Sequence, residues 1–311
     1  MKDLKYTIIS LFALLSETVL SFVPLSSNEE VTSRWRLEYS NKTDFFDTDL
    51  IKGTSIADIL PNFLQPKKKV VVTGATGQAG RLILKRLSSN LNIKAIGGVR
   101  DETRAKRILS KDRKVFRGLQ INKVPAIDLS KASLKRIDLV KDSKDELKAS
   151  LRGVNALIIA TGFVADPQTL GNPFMVARKA EAIDNLGACK LMDAAKEVGV
   201  TKIVLLSSIL TNARAWGQTQ APGYFVTNRL GNVLDQKLVA ENYLRTLGVD
   251  YTIIRAAELK NDIKGQSRTL IISGEDTLND GVVSREFVAD ICVAALSDKR
   301  YSRKLFEIKQ E

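Results

Sequence analysis

The sequence predicts an α/β protein with a doubly wound parallel sheet, and three observations predict it. Short β-branched runs alternate with amphipathic helical stretches over residues 67–311, which is typical of parallel sheets covered by helices on both faces. A glycine-rich turn joins the first of these runs to the first helix. The chain has 311 residues, of which 44% are hydrophobic, so it can bury a core large enough for such a fold.

The first predicted strand, Val70–Thr73, leads into a seven-residue turn and a helix over residues 81–87. In such a turn the first glycine allows the tight bend, the second lets the backbone approach a pyrophosphate, and the third lets helix and strand pack closely. The helix N-terminus then presents N–H groups and a partial positive charge to the phosphates. A plain tight turn is the alternative. The cofactor-binding candidates here are Gly74, Thr76, Gly77, Gln78 and Gly80.

The second predicted strand, Ile93–Val99, ends at Arg100. An arginine at this place accommodates the 2′-phosphate of NADP(H), whereas an acidic residue binds the ribose hydroxyls of NAD(H). Arg104 and Arg107 follow at one and two helical turns. Asp101 argues against a 2′-phosphate site, because its carboxylate could bind a ribose hydroxyl. We therefore predict NADP(H) as the cofactor, with NAD(H) as the alternative.

Four more strands and four more helices complete the predicted alternation. The strands are Val124–Ile127, Asn155–Ala160, Lys202–Leu206 and Asp250–Ile254, and the helices cover 144–151, 175–198, 231–247 and 284–296. Ligands of open α/β sheets bind at the carboxyl ends of the strands. Those ends are predicted to be Thr73, Arg100, Asp128, Thr161, Ser207 and Arg255.

The composition excludes several kinds of chemistry. The chain has no histidine, so it lacks every Ser-His-Asp or Cys-His nucleophile and every histidine metal ligand. Its two cysteines, Cys189 and Cys292, are too few and too far apart for a disulfide framework or a four-thiolate zinc site. We predict no metal site, and we interpret both cysteines as core side chains rather than redox switches.

The net charge of +13 comes from one segment. Residues 67–150 contain 22 basic and 8 acidic side chains. Such a segment attracts a polyanion, which could be a phosphorylated cofactor, an anionic membrane surface or nucleic acid; a solvated basic face is the alternative. Nucleic acid is the weakest candidate, because Phe116 is the only aromatic residue in the segment and stacking platforms need several.

The first 66 residues have the features of a targeting sequence. Two lysines precede an apolar run of about ten residues, roughly half the length of a bilayer span, and Val19 and Ser21 form a small-residue cleavage pair. We predict a signal peptide over residues 1–21, with an uncut membrane anchor as the alternative, and a transit peptide and linker over residues 22–66. No transmembrane span is expected.

The junction at Phe22 resembles that of the two-part presequences that direct proteins to the secondary plastids of algae. In those presequences a signal peptide is followed by a transit peptide that begins with phenylalanine. Glu29, Glu30 and Glu38 depart from the acid-poor composition of transit peptides. The resemblance implies a plastid location, with the secretory pathway as the alternative.

Beyond residue 66 the chain resembles the atypical short-chain dehydrogenase/reductase superfamily, and within it the NmrA-like branch of plastid NAD(P)-binding proteins. The resemblance covers residues 67–311. It is carried by the glycine turn and by the motifs Arg152-Gly153-Val154-Asn155-Ala156, Asp184-Asn185-Leu186-Gly187, Leu205-Leu206-Ser207-Ser208 and Tyr251-Thr252-Ile253-Ile254-Arg255. It implies a Rossmann-like fold with a small C-terminal substrate lobe.

The resemblance also implies cofactor contacts beyond the glycine turn. Asp128 and Leu129 match the pair that meets the adenine, and Thr161 and Gly162 match the strand end on the nicotinamide side. Lys237 matches the lysine that hydrogen-bonds the nicotinamide ribose.

The catalytic candidates by resemblance are Lys237 and Ser208, with Ser207 as the alternative serine. Catalytic members carry a tyrosine proton donor four residues before the lysine, but position 233 is valine here. Tyr224 lies in an insertion over residues 211–229, and a packed aromatic is the favoured interpretation of it.

These features support two functions. One is an NADPH-dependent oxidoreductase that acts on a small plastid metabolite, and we favour it because the lysine and the serine are retained. The other is a non-catalytic NADP(H)-sensing scaffold or assembly factor with a plastid protein partner, which the missing tyrosine supports.

Overall fold

The structure is a computed structural model that describes most of the chain beyond residue 65. The described residues are 19–24, 34–40, 66–117, 120–164, 172–229, 231–261, 263 and 269–310. In chain order the strands are β1 (Val19–Pro24), β2 (Arg34–Ser40), β3 (Lys68–Thr73), β4 (Ile93–Val99), β5 (Arg113–Arg117), β6 (Gln120–Val124), β7 (Ala132–Arg136), β8 (Ala156–Ile159), β9 (Lys202–Ser208), β10 (Asp250–Ala256), β11 (Glu258–Lys260), β12 (Thr269–Ser273), β13 (Val282–Ser284) and β14 (Lys304–Gln310).

The described residues form eight α-helices. They are α1 (Gln78–Ser88), α2 (Glu102–Leu109), α3 (Lys144–Leu151), α4 (Pro173–Ala180), α5 (Ala188–Glu197), α6 (Pro222–Asn228), α7 (Val233–Thr246) and α8 (Arg285–Ala294). A π-helical segment, Glu181–Gly187, joins α4 to α5, and a short 3-10 turn, Lys299–Tyr301, precedes β14.

Seven parallel strands form the centre of the sheet, in the order β7-β4-β3-β8-β9-β10-β14. The strands β4 and β8 pair with opposite edges of β3, the first parallel strand in the chain, so the strand order reverses there and the crevice of a doubly wound sheet opens at that point. This arrangement confirms the predicted fold class. The small C-terminal substrate lobe remains a prediction.

Both faces of the parallel sheet are covered, as the continuous apolar strands predict. Val70 and Val72 pack into a core with α1 and α8, whereas Val71, between them, packs into a second core with α3, α5 and α7. The alternation follows from the two-residue period of a strand. The carboxyl ends of the strands therefore lie between two helical layers, and this edge carries the candidate site.

The third parallel strand differs from the prediction. Val124 ends β6, which forms a separate antiparallel hairpin with β5, and residues 125–128 form no strand. Pro125 explains the difference, because it has no N–H to donate to a sheet ladder. The true third strand is Ala132–Arg136, an edge strand with mostly exposed side chains and hence no apolar run to reveal it.

Two strands lie within the predicted targeting sequence. β1 and β2 pair antiparallel, and β2 continues the sheet through β12, which pairs antiparallel with β14. The other residues up to position 65 lie outside the described residues, so the signal peptide, transit peptide and linker stay predictions. Over the described residues, no helix is both long and apolar enough to cross a membrane.

Candidate active site

The glycine turn has the geometry that the sequence predicts. Gly74 has φ +71°, and a Cβ there would stand 2.7 Å from the Ala160 carbonyl oxygen. A Cβ at Gly80 would stand 2.3 Å from the Gly74 carbonyl oxygen. The tight bend and the close approach of helix to strand therefore both require glycine.

The N-terminus of α1 is arranged to bind an anion. Gly77 is its N-cap, no side chain caps it, and its first turn contains no acidic residue. Two polar side-chain atoms beside the turn, Thr73 Oγ1 and Gln78 Oε1, are buried and have no hydrogen-bond partner in the described part of the chain. A dinucleotide fits here, because its pyrophosphate would meet the helix dipole and the unpaired polar atoms would gain partners.

A cleft at the carboxyl ends of β8 and β9 brings together several predicted site residues. Thr161, Asp184, Ser207 and Lys237 line it with apolar side chains from Ile159, Ala188, Leu205, Leu206 and Ala240. The Lys237 ammonium lies 2.9 Å from Asp184 Oδ1, and that carboxyl side chain is only 1% exposed. Thr161 Oγ1 is buried and has no hydrogen-bond partner among the residues that the structure describes, so the cleft offers a hydroxyl to a ligand.

A π-helical segment places Asp184 in this cleft. The sequence predicts one continuous helix over residues 175–198, and the structure interrupts it at Glu181–Gly187. Such a segment adds one residue to a helical turn and is frequent at functional sites. Asp184 accepts hydrogen bonds from Lys237 and from the backbone N–H of Phe163 (3.0 Å), which ties the segment to the loop after β8.

The two serines at the end of β9 have different environments. Ser207 lines the cleft, and its hydroxyl donates a hydrogen bond to the buried carboxylate of Glu241. Ser208 points to the opposite face, as adjacent strand residues do, and is partly exposed without a hydrogen bond to any residue that the structure describes. The geometry thus brings Ser207, rather than Ser208, next to Lys237.

A buried ionic cluster beneath Ser207 was not predicted. Arg255 and Glu241 are both fully buried and 2.8 Å apart, and Arg255 also contacts Glu307 (3.3 Å) and Asp276 (2.7 Å). Burial alone would lower the pKa of the Arg255 guanidinium, but the charges and hydrogen bonds of Glu241 and Asp276 outweigh it and raise that pKa. Arg255 is the penultimate residue of β10, one residue before its end, and its side chain faces this cluster.

Among the described residues, no phenol stands at the position where the resemblance implies a proton donor. Val233 is buried. Tyr224 is also buried, and its hydroxyl donates to Asp235 at 3.0 Å. Burial and this hydrogen bond raise the pKa of the Tyr224 phenol, so it is a packed side chain, as the favoured interpretation expects.

The cysteines are core side chains, as predicted. Cys292 is fully buried, and Cys189 packs partly buried against the second core. Burial raises the pKa of Cys189 to about 11 and that of Cys292 to about 12. Both thiols are therefore protonated and unreactive at neutral pH.

Three arginines extend from the end of β4 along α2. Arg100, Arg104 and Arg107 are exposed, and their guanidinium groups contact no described residue as ion pair or hydrogen bond. The Asp101 carboxylate caps α2 by accepting from the Arg104 backbone N–H at 2.8 Å. Asp101 therefore already has a structural role, and the arginines are left available for an anion.

The predicted adenine pair lies in a different place from the one expected. Asp128 is an exposed turn residue before β7, where its carboxylate accepts from the Ser130 N–H (3.0 Å) and hydroxyl, and Leu129 packs against the first core. The residues just beyond β7 are Asp138 and Leu139, both buried. The tripeptide Ile-Asp-Leu occurs twice in the sequence, ten residues apart. This repeat was the sequence signal that Asp138 and Leu139 are a second candidate for the adenine pair.

The second copy occupies the strand end. The backbone N–H of Ile137 donates to the Val99 carbonyl at 2.8 Å, which fixes it beside the end of β4. Asp138 Oδ1 accepts from the backbone N–H groups of Val140 and Lys141. The sequence prediction chose the first copy because it placed the third strand too early.

The fold and the cleft together define a Rossmann-like dinucleotide-binding protein. A sequence profile of the NAD(P)H-binding family matches residues 74–299. The chain belongs to this family, and its resemblance to the atypical short-chain dehydrogenase/reductase superfamily is confirmed.

The relatives include proteins with and without an assigned role, and two of them each match 78% of this chain. An uncharacterized chloroplastic protein of Arabidopsis thaliana is 37% identical over 242 residues, which are 78% of this chain and 76% of that protein. Sanguinarine reductase of Eschscholzia californica is 28% identical over 272 residues, covering 78% of this chain and 89% of that protein. The crystal structure of the oxidoreductase ylbE from Lactococcus lactis superposes with a TM-score of 0.58 and 20% identity, over 78% of this chain and 91% of that one; this likeness shows the fold.

Proposed function

We propose that the protein is an NADPH-dependent oxidoreductase of a small plastid metabolite. The observation that carries the proposal is the convergence of Thr161, Asp184, Ser207 and Lys237 in one cleft at the strand ends, beside an uncapped helix N-terminus. The sanguinarine reductase relative supports a reductase. When bound, the cofactor supplies a hydride, and the protein supplies binding, orientation and electrostatics.

Each element of the site has a role in this proposal. The turn from Gly74 to Gly80 binds the pyrophosphate, and Asp138 with Leu139 replaces Asp128 with Leu129 beside the adenine. Thr161 and Gly162 line the nicotinamide side, and Lys237 binds the nicotinamide ribose while Asp184 fixes its ammonium.

The exposed arginines support NADP(H) over NAD(H). Arg100 stands at the end of β4 without a partner among the described residues, and Arg104 and Arg107 continue the same basic face. Guanidinium groups suit a phosphate dianion because of their planar donors. Asp101 could bind the hydroxyls of an unphosphorylated ribose, but its carboxylate already caps α2.

The test measures NADPH and NADH affinity of the full chain by calorimetry. Arg100→Ala should weaken NADPH binding by about tenfold to a hundredfold, because hydrogen bonds to a charged group contribute about 1.5–3 kcal/mol, and should leave NADH binding unchanged. Arg152→Ala, another exposed arginine, is the matched control and should change neither. Equal affinity of the unmodified chain for the two nucleotides would refute the NADP(H) assignment.

A second function, a non-catalytic NADP(H)-sensing scaffold, is favoured by Val233. This buried valine stands where a catalytic relative has its proton donor. The scaffold predicts that a plastid protein binds with an affinity that depends on cofactor occupancy. Equal capture of partners from plastid extract with and without NADPH would exclude it.

The proposed plastid location rests on the predicted targeting sequence, residues 1–66, and on the chloroplastic relative from Arabidopsis thaliana. A fluorescent protein fused behind residues 1–66 should enter the plastid of an alga with a secondary plastid. The substitution Phe22→Ala should divert it to another compartment, whereas Phe45→Ala, a phenylalanine away from the junction, should not.

A further inference from the structure

The hydroxyl group of Thr161 lies in the cleft and is not committed to another protein group. Thr161 Oγ1 is buried, and no described residue accepts from it or donates to it. It lines the same cleft as Lys237. Buried hydroxyl groups normally have a hydrogen-bond partner, so one that has none in a cleft indicates contact with an atom of a bound molecule.

The other hydroxyl groups in this region already have acceptors in the protein. Ser207 also lines the cleft, but its hydroxyl donates to the buried carboxylate of Glu241. The Tyr224 hydroxyl donates to Asp235 at 3.0 Å. A hydroxyl that donates to a carboxylate cannot donate the same proton to a substrate. The Thr161 hydroxyl is under no such constraint from the described residues.

The ion pair of Lys237 and Asp184 packs against the chain directly after Thr161. A Cβ added at Gly162 would stand 3.3 Å from Lys237 Nζ and 3.5 Å from Asp184 Oδ1. The backbone N–H of the next residue, Phe163, donates to the Asp184 carboxylate at 3.0 Å. An ammonium group has three N–H donors, and the bond to Asp184 uses one of them. The remaining donors are available for a bound molecule.

The cleft has room for about one oxygen atom. Its volume is about 10 Å³, close to the space that a single water molecule needs. The polar side chains that line this space are Thr161, Asp184, Ser207 and Lys237. A carbonyl oxygen is small enough to enter it. The hydroxyl and the ammonium would then stabilise the negative charge that hydride addition creates on that oxygen.

We propose that Thr161 is the catalytic proton donor of this cleft, and that its hydroxyl passes a proton from Lys237 to the carbonyl oxygen of the acceptor; this rests on the proposed function. The hydride comes from bound NADPH, which is oxidised to NADP⁺, and forms a C–H bond at the carbonyl carbon. The C=O π pair moves onto the oxygen, which forms an O–H bond while the Thr161 O–H bond breaks. The acceptor leaves as an alcohol.

Lys237 restores the proton of Thr161 in the same step. An alcohol is a weak acid, so the Thr161 oxygen must take a proton from the ammonium as it gives one to the acceptor. Lys237 is left as a neutral amine and recovers its proton from water, which reaches it because its side chain is 18% exposed. The Asp184 carboxylate, 2.9 Å away, keeps the lysine nitrogen in position.

The first test uses the full chain, NADPH and a panel of aldehydes, ketones and quinones that includes 2-naphthaldehyde. For the carbonyl reduced fastest, Thr161→Val should lower kcat at least about a hundredfold, because general acid catalysis contributes that much, and should leave KM and NADPH affinity within about twofold. Thr161→Ser, which keeps the hydroxyl, should recover most of the kcat. Thr246→Val, at the exposed end of α7, is the control and should change nothing. An undiminished kcat in Thr161→Val, or a loss of NADPH affinity alone, overturns the proposal.

The second test needs no turnover and detects the hydrogen bond itself. Infrared spectroscopy follows the C=O stretch of ¹³C-labelled 2-naphthaldehyde bound to the full chain with NADP⁺, which has no hydride to give. The stretch should lie at a lower frequency than for the aldehyde in water, because an ammonium and a hydroxyl polarise the bond together. It should shift back to higher frequency in Thr161→Val and not in Thr246→Val. A stretch at or above the value in water, or no binding of the aldehyde, overturns the proposal.

A third measurement uses the unmodified chain and so does not depend on the folding of any variant. In a single turnover, reduction should be slower in D₂O and also slower with NADPH deuterated at the transferred position, because proton and hydride move in one step. Equal rates in H₂O and D₂O overturn the proposal. Carbonyl reduction that is independent of the Thr161 hydroxyl refutes the proton donor alone. Bound NADPH with no reduction of any carbonyl in the panel refutes the proposed oxidoreductase function as well, so the two failures are distinguishable.

Discussion

Gly80→Ala tests the contact on which the nucleotide site depends. The added methyl group would stand 2.3 Å from the Gly74 carbonyl oxygen and 2.7 Å from its carbon, whereas carbon and carbonyl oxygen approach to about 3.3 Å. The start of α1 must therefore move by about 1 Å, and the atoms it meets are backbone. Alanine would gain about 1 kcal/mol of helix propensity, but overpacking of this kind costs about 3 kcal/mol.

The net expectation is a loss of about 2 kcal/mol in the free energy of unfolding, together with weaker NADPH binding. Urea denaturation and calorimetry measure the two effects. Gly274→Ala is the matched control, because a Cβ there meets nothing within 4 Å, and it should change stability by less than about 0.5 kcal/mol. A Gly80→Ala variant as stable as the original chain, with unchanged NADPH affinity, would refute the close approach.

Three further predictions follow from the buried charges, thiols and caps. Arg255→Met should lower the free energy of unfolding, measured in urea, by about 3–5 kcal/mol, because it leaves the buried carboxylates of Glu241 and Glu307 without their counter-charge. A loss below about 1 kcal/mol would contradict the burial of this ionic cluster. Because burial raises the pKa of Cys292 to about 12, the folded thiol keeps its proton while the unfolded one ionises near pH 8.5. Stability is therefore complete below that pH and falls as pH rises, and Cys292→Ala should flatten the fall by up to about 1.4 kcal/mol per pH unit. Asp101→Ala should cost about 1 kcal/mol as a lost cap without changing the preference for NADPH over NADH; a changed preference would show that Asp101 reads the ribose.

The parallel strands that are buried on both faces could be predicted from the sequence, because burial forces an apolar run. The strand Ile93–Val99 is observed with the predicted bounds. The edge strand Ala132–Arg136 could not be found this way, since one face and one edge meet solvent and its composition is polar. Because the third parallel strand was predicted too early in the chain, Asp128 was predicted at the strand end where the structure has Asp138.

The strand-turn-helix pattern predicted the glycine turn, because that turn depends on local chain geometry, and the family resemblance implied Lys237. It could not predict the cluster of Glu241, Arg255, Asp276 and Glu307, which joins a helix, two strands and a turn that are distant in sequence. The orientation of the Ser207 hydroxyl depends on that cluster. Long-range ion pairs therefore determine what the cleft can do chemically, while local motifs determine where the cleft lies.

The contrast between local motifs and long-range ion pairs explains why a chain of the short-chain dehydrogenase/reductase superfamily can lack the tyrosine and still form the cleft. The nucleotide half is built from backbone, from Gly74 to Gly80 and the strand ends, and it does not involve position 233. Lys237, Ser207 and Tyr224 donate hydrogen bonds to carboxylates, whereas the Thr161 hydroxyl has no partner among the described residues. Val233 offers no acidic group at the position where the family resemblance implies a tyrosine, and the turn from Gly74 to Gly80 does not depend on that position. The choice between an enzyme and a sensor is therefore a question of whether bound NADPH transfers a hydride, which NADPH oxidation by the full chain with a panel of carbonyl acceptors decides.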